Sequence, residues 1–84
     1  MSYKVVIPKP VQKQLSDLPK NQRDRLITDI RLLAEVPRPS GVKKLKGYEN
    51  IYRIRVGDYR VIHEVKDQEM LVLIISSVHR RDAY

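Results

Sequence analysis

Tyr3, Val5 and Ile7 alternate with polar or small neighbours over residues 2–7, and a period of two predicts a short strand. Pro8 and Pro10 close it. From Val11 the spacing lengthens. Val11, Leu15 and Leu18 fall on one stripe of a short helix that Pro19 ends. A second helix is predicted from about Lys20 to Glu35. Leu26, Ile27, Ile30, Leu33 and Ala34 follow the i, i+3, i+4, i+7 pattern there, with Asp24, Arg31 and Glu35 mainly on the other side. Core packing accounts for both stripes. Pro37, Pro39, Ser40 and Gly41 interrupt the pattern over a stretch too short to divide domains. Lys43 to Lys46 is then a candidate strand, closed by Gly47. Ile51–Val56 and Tyr59–Val65 alternate on either side of Gly57-Asp58, the signature of a tight hairpin. After a second turn at Asp67-Gln68, residues Met70 to Val78 are apolar almost throughout, which suits an interior strand. The order is β-α-α followed by three or four strands. It predicts an α+β domain, a small antiparallel sheet with two helices packed on one face.

Composition narrows the class. Eighty-four residues allow one domain, 1–84. There is no Cys and there are only two His, so a disulfide framework is excluded, a Cys-based zinc site is excluded, and no metal or other cofactor is expected. No apolar run is long enough to span a membrane and no secretory h-region is visible, so a cytoplasmic protein is expected. Seventeen Lys and Arg against ten Asp and Glu give a net charge of +7. That surplus fits a polyanion partner, nucleic acid or an acidic protein, and equally fits simple solubility.

Hairpin register decides where the charge goes. A turn at Gly57-Asp58 sets Val56 opposite Tyr59, Ile54 opposite Val61 and Tyr52 opposite His63. That mostly apolar face takes the helices. The other face holds Arg53, Arg55 and Arg60, with Arg55 directly opposite Arg60. Like charges facing each other destabilise a sheet, so this arrangement points to a site that needs focused positive charge, the alternative being a solvated basic face with no ligand. With Asp67-Gln68 as the next turn, Val65 pairs with Met70 and Val61 with Ile74. Leu71, Leu73, Ile75, Ser77 and His79 then join the arginine face. His79 would emerge near Arg55 and Arg60, while Arg80, Arg81 and Tyr84 follow past the strand end. Leu71, Leu73 and Ile75 would form an apolar strip needing a cover, either a partner or the chain's own residues 36–50.

Arginine, histidine and tyrosine together suit RNA cleavage by its own 2′-OH. Arg gives planar, permanently charged donors to phosphate. His transfers protons near neutrality, and neighbouring Arg favours its neutral form. Tyr can stack on a base or orient the sugar. No carboxylate cluster for Mg²⁺ is visible, which favours a metal-independent route. Lys43, Lys44 and Lys46 suit phosphate contacts, or serve as edge-strand lysines that discourage unwanted pairing.

Lys44-Leu45-Lys46-Gly47, the segment Ile51 to Ile62 containing "GDYRVI", and the terminal "HRRDAY" from His79 to Tyr84 resemble the RelE family of bacterial and archaeal toxins, within the RelE/ParE superfamily. The order of elements matches over the whole chain. The resemblance implies a RelE-like fold and cleavage of mRNA in the ribosomal A site, leaving a 2′,3′-cyclic phosphate. It implies a RelB-like antitoxin partner, in a hetero-oligomeric complex, that neutralises the basic face. Arg53 and Arg55 match basic active-site positions, Arg60 the arginine that stabilises the transition state, Arg80 the arginine near the C-terminus and Tyr84 the terminal tyrosine. Arg53 and Arg55 do not readily transfer protons, so His79 is the preferred proton-transfer residue. Lys43, Lys44, Lys46 and Arg81 are expected to contact ribosomal RNA, and Leu71, Leu73 and Ile75 the antitoxin. Two alternatives remain: a ParE-like inhibitor that binds DNA gyrase without catalysis, and a small basic nucleic-acid-binding protein.

Overall fold

A computed structural model describes residues 2–79. Its elements run β1 (Lys4–Val6), α1 (Lys9–Ser16), α2 (Lys20–Leu32), β2 (Lys43–Lys44), β3 (Ile51–Val56), β4 (Tyr59–Lys66) and β5 (Leu71–His79). The sheet order is β1-β5-β4-β3-β2. Four strands form the expected antiparallel ladder. The fifth corrects it: β1 pairs parallel with β5, Lys4 with Leu71 and Val6 with Leu73, so the sheet is mixed. A parallel neighbour needs a long connection, and here it runs through both helices and the three strands β2, β3 and β4 before β5 returns beside β1.

The ends of elements differ from the periodicity for local reasons. α1 begins at Lys9 rather than Val11, because proline is tolerated in a first helical turn, where its missing N–H costs nothing. α2 stops at Leu32 and tightens. Leu33, Ala34 and Glu35 donate to carbonyls three residues back at 3.1 Å, the usual narrowing of a last turn. β2 holds two residues instead of four, since the Leu45 N–H still reaches Ile51 O but Tyr48 N–H already turns back to Leu45 O. At Gly57 the backbone sits at φ +59, and an added Cβ would stand 3.2 Å from the Arg25 guanidinium. The positive φ favours glycine there, while the guanidinium, the far end of a flexible side chain, can give way.

Val11 and Leu15 from α1, Leu26 and Ile30 from α2, and Leu33 just after it pack on Ile54, Val56, Val61, Val72 and Ile74 of the sheet. These are the stripes and the sheet face that the pattern assigns to the core. No helix among the described residues is long and apolar enough to cross a membrane.

The β4–β5 hairpin departs most. Its turn is four residues, a 3₁₀ turn at Asp67–Glu69 closed by Met70 at φ 49. Val65 pairs with Val72, not Met70, and Val61 with Ser77, not Ile74. The longer turn alone keeps the faces as expected, so Leu71 and Leu73 lie opposite Lys66 and Glu64 on the arginine side. A bulge then changes them. His63 pairs with Ile74 and Ile62 with Ser76, which leaves Ile75 as the extra residue. Beyond it every β5 side chain changes face. Ser77 and His79 move to the helix side, opposite Val61 and Tyr59, while Ser76 and Val78 take the arginine side.

Candidate functional site

The β3–β4 register is the expected one, with Arg55 opposite Arg60 and Arg53 opposite Ile62. β2 adds a fourth cation, because Lys43 pairs with Arg53 and so shares its face. Gly41, Lys43, Arg53, Arg55 and Arg60 line one cleft of about 210 Å³. Small-molecule pockets run to roughly 300–1,000 Å³, so this one is smaller than most of them. No carboxylate among the described residues lines it. Arg55 Nε makes a long contact, 3.5 Å, to its own turn at Gly57 O. Arg60 Nη1 is shielded from solvent and donates to no acceptor among the described residues. A buried unmet donor is costly, so this nitrogen of a permanent cation is the least satisfied donor of the cleft.

The expected site residues divide accordingly. Arg53, Arg55 and Arg60 are brought together, and Lys43 joins them. Lys44 pairs with Tyr52 and points to the other face, and Lys46 lies on the exposed turn beyond β2. His79 is corrected. The bulge sets it on the helix side, where its ring meets Tyr59 edge-on with centroids 5.2 Å apart, and not beside Arg55 and Arg60. Arg80, Arg81 and Tyr84 lie outside the described residues. Leu71 and Leu73 are half-buried and Ile75 is 41% exposed, so residues 36–50 do not seal the apolar strip.

Two further features depend on contacts between distant parts of the chain. The first is an apolar groove between the end of α2, the following loop and β3, lined by Leu32, Leu33, Val36, Pro39 and Ile54 and sharing Gly41 and Arg55 with the basic cleft. The sequence does carry a signal for it: Leu32 and Val36 are an i, i+4 apolar pair off the buried stripe, 59% and 52% exposed. The second is a polar cluster at the far end of the sheet. Arg38 grips Asp67 with both terminal nitrogens, at 3.1 and 2.6 Å, and its Nε donates to Tyr52 OH at 2.9 Å. Tyr3 OH donates to the same carboxylate at 2.7 Å. Beside them His63 is fully buried, with Nε2 2.9 Å from Pro37 O. The carbonyl only accepts, so Nε2 carries the proton and Nδ1 is bare, with no partner among the described residues.

Burial pushes the His63 pKa down; the Pro37 carbonyl opposes this and the Arg38 charge adds to it. The Arg38 and Tyr3 hydrogen bonds hold the Asp67 carboxyl at about 2. Both groups sit below their unfolded values, so each stabilises the fold above its unfolded pKa and loses that contribution as pH falls through the folded one. For His63 the loss begins near about pH 6.5; for Asp67 it runs from 3.8 down to about 2. Thermal midpoints are expected to be level above neutrality and to decline as pH drops below about 6.5, and His63→Gln is expected to flatten that first decline. An equal slope in the variant would assign the decline to another group.

A family model described as the ParE toxin of the type II toxin-antitoxin system parDE matches residues 5–84. Toxin RelE3 of Methanocaldococcus jannaschii is 35% identical over 89 residues, which cover 96% of this chain and 94% of RelE3. In the crystal structure of the archaeal RelE–RelB complex from Pyrococcus horikoshii OT3, the matched chain is 36% identical with a TM-score of 0.86, covering 99% of this chain and all of that one. The isolated RelE toxin of E. coli has a TM-score of 0.79 at 25% identity, covering 92% of this chain and 83% of that one. With matches this long and this similar, the chain belongs to the RelE family of type II toxin–antitoxin toxins, within the RelE/ParE superfamily.

Proposed function

We propose that this toxin is a ribosome-dependent mRNA endonuclease, cutting message in the ribosomal A site by metal-independent attack of the 2′-OH, and that a RelB-like antitoxin neutralises it. The observation that carries the reading is the buried, unmet Arg60 Nη1 in a cleft with three further cations and no acid among the described residues. The relatives at 35% and 36% identity are named RelE, which favours cleavage over gyrase inhibition.

In this reading the 2′-oxygen attacks phosphorus, the P–O5′ bond breaks, and a 2′,3′-cyclic phosphate is left. Arg60 and Arg55 take up the charge that builds on the phosphoryl oxygens, and Arg53 holds the adjoining backbone. The 2′-OH proton passes to water. The O5′ leaving group needs a proton. Guanidinium does not supply one, and His79 stands on the other face. Lys43 is the lining side chain that can, and we assign it that role. Arg80 and Tyr84 keep the roles their resemblance implies, and Lys44, Lys46 and Arg81 contact ribosomal RNA. Lys43→Arg keeps the charge and removes the proton donor. It is expected to lower the cleavage rate by about 10²-fold or more while RNA affinity changes little. An unchanged rate would return the proton to another group.

The antitoxin would cover Leu71, Leu73 and Ile75 on the open sheet face, next to the arginines. Leu73→Asp is expected to weaken antitoxin binding by about 30-fold or more in calorimetry, as loss of a central apolar anchor does. Leu32→Glu, in the groove on the other side of β3, is the comparison. A loss confined to Leu32→Glu would move the antitoxin's seat to that groove.

A further inference from the structure

Arg38 reaches across 29 residues of sequence to Asp67, and neither of them lines the basic cleft, yet the loop that Arg38 holds reaches that cleft at Gly41. Pro37 is pinned through its carbonyl to His63, and Arg38 is pinned to Asp67 in the β4–β5 turn and to Tyr52 on β3. The Arg38 guanidinium also lies 5.1 Å from the Tyr52 ring centroid. From there the chain makes one tight turn, with Val42 N–H donating to Pro39 O at 3.0 Å, and delivers Gly41 and Lys43 to the cleft wall. The strand after that turn is weak on its own. β2 is two residues at the edge of the sheet, and short edge pairings have little independent stability. Its second residue, Lys44, pairs with Tyr52, the side chain that Arg38 grips. An isolated surface ion pair would contribute little, but a bidentate pair inside a network of two tyrosines is the arrangement in which such pairs matter.

We propose that Arg38 is a positioning residue: clamped by Asp67 and Tyr52, it straps the 36–42 loop to the sheet and so sets Gly41 and Lys43 in the anion cleft. Its effect on RNA rests on the cleft being the RNA site, as proposed above; its effect on the loop does not.

Charge separates this from a direct role in binding. Asp67→Asn makes the protein one unit more positive, so electrostatics alone would tighten RNA binding. The strap requires the opposite. With the full chain and a single-stranded oligouridylate at fixed salt, Arg38→Met and Asp67→Asn are each expected to weaken binding by about 5-fold, and the double variant by no more than either alone. Both are expected to speed amide hydrogen exchange over residues 39–44. Equal or tighter binding by Asp67→Asn, with Arg38→Met weakened, would overturn the strap and make Arg38 a plain cation. Asp67 is exposed, so its variant decides the matter even where Arg38→Met fails to fold. If Arg60→Ala binds the oligonucleotide as wild type does, the cleft reading has failed instead. Exchange over 39–44 then judges the strap, and unchanged rates would end it.

Discussion

Arg60→Ala is expected to lower cleavage of ribosome-bound message by about 10²–10³-fold, the loss seen when one preorganised charge-stabilising donor is removed from a transition state. Growth arrest on expression should be relieved with it. The reason is the unmet Nη1 of Arg60. In the free protein that donor is shielded and has no acceptor among the described residues. In the proposed reaction its hydrogen bond is made to the incoming phosphate and strengthens as charge accumulates on the phosphoryl oxygens. Arg55 opposite does not duplicate it, because its guanidinium is exposed and already hydrated while the Arg60 donor is shielded. The fold should tolerate the change, because removing Arg60 relieves a like-charge pair across β3 and β4. An equal or higher urea midpoint, together with lost cleavage, is the expected combination. Full activity in Arg60→Ala would remove the cleft from the mechanism.

Ile30→Ala is expected to have the largest effect on the fold, about 2–5 kcal/mol for a buried large-to-small change. Ile30 is fully buried, in the centre of the α2 stripe, with Leu26 and Leu33 one turn to either side. Stability of small domains is about 5–15 kcal/mol in all. At about 4–8 °C per kcal/mol for a chain of this size, the thermal midpoint should fall by about 10 °C or more. Urea unfolding should show a lower midpoint at an unchanged slope. A shift of a degree or two would mean that the helix layer contributes far less than its burial suggests. This variant also calibrates the first. Activity lost through unfolding returns on cooling, whereas activity lost at Arg60 does not.

The helix layer and the β3–β4 hairpin are legible in the sequence because each is local. A period of 3.6 places Leu26, Ile30 and Leu33 in the core, and two turn residues set the register that gathers Arg55 and Arg60. β1 beside β5 is not legible, since nothing in Lys4–Val6 specifies a parallel partner sixty-seven residues away. The bulge is not legible either, and it has the larger consequence. Ile74, Ile75 and Ser76 fit a regular strand as well as a bulged one, yet one extra residue moves His79 across the sheet. Lys43 reads as a ribosome contact in sequence and lines the cleft in the fold, because its pairing with Arg53 at the β2 edge, just after the 36–42 loop, is non-local. That loop is held by Arg38 and Asp67, a contact between two turns that periodicity does not reach.

The most direct test adds purified toxin to translating ribosomes, maps the 5′ ends of the message, and repeats the incubation with naked message and with DNA gyrase. The expected result is breaks phased to codons on ribosome-bound message, 2′,3′-cyclic phosphate ends, little cutting of naked message and unaffected gyrase. Intact message together with inhibited supercoiling would contradict it and make the toxin a gyrase binder.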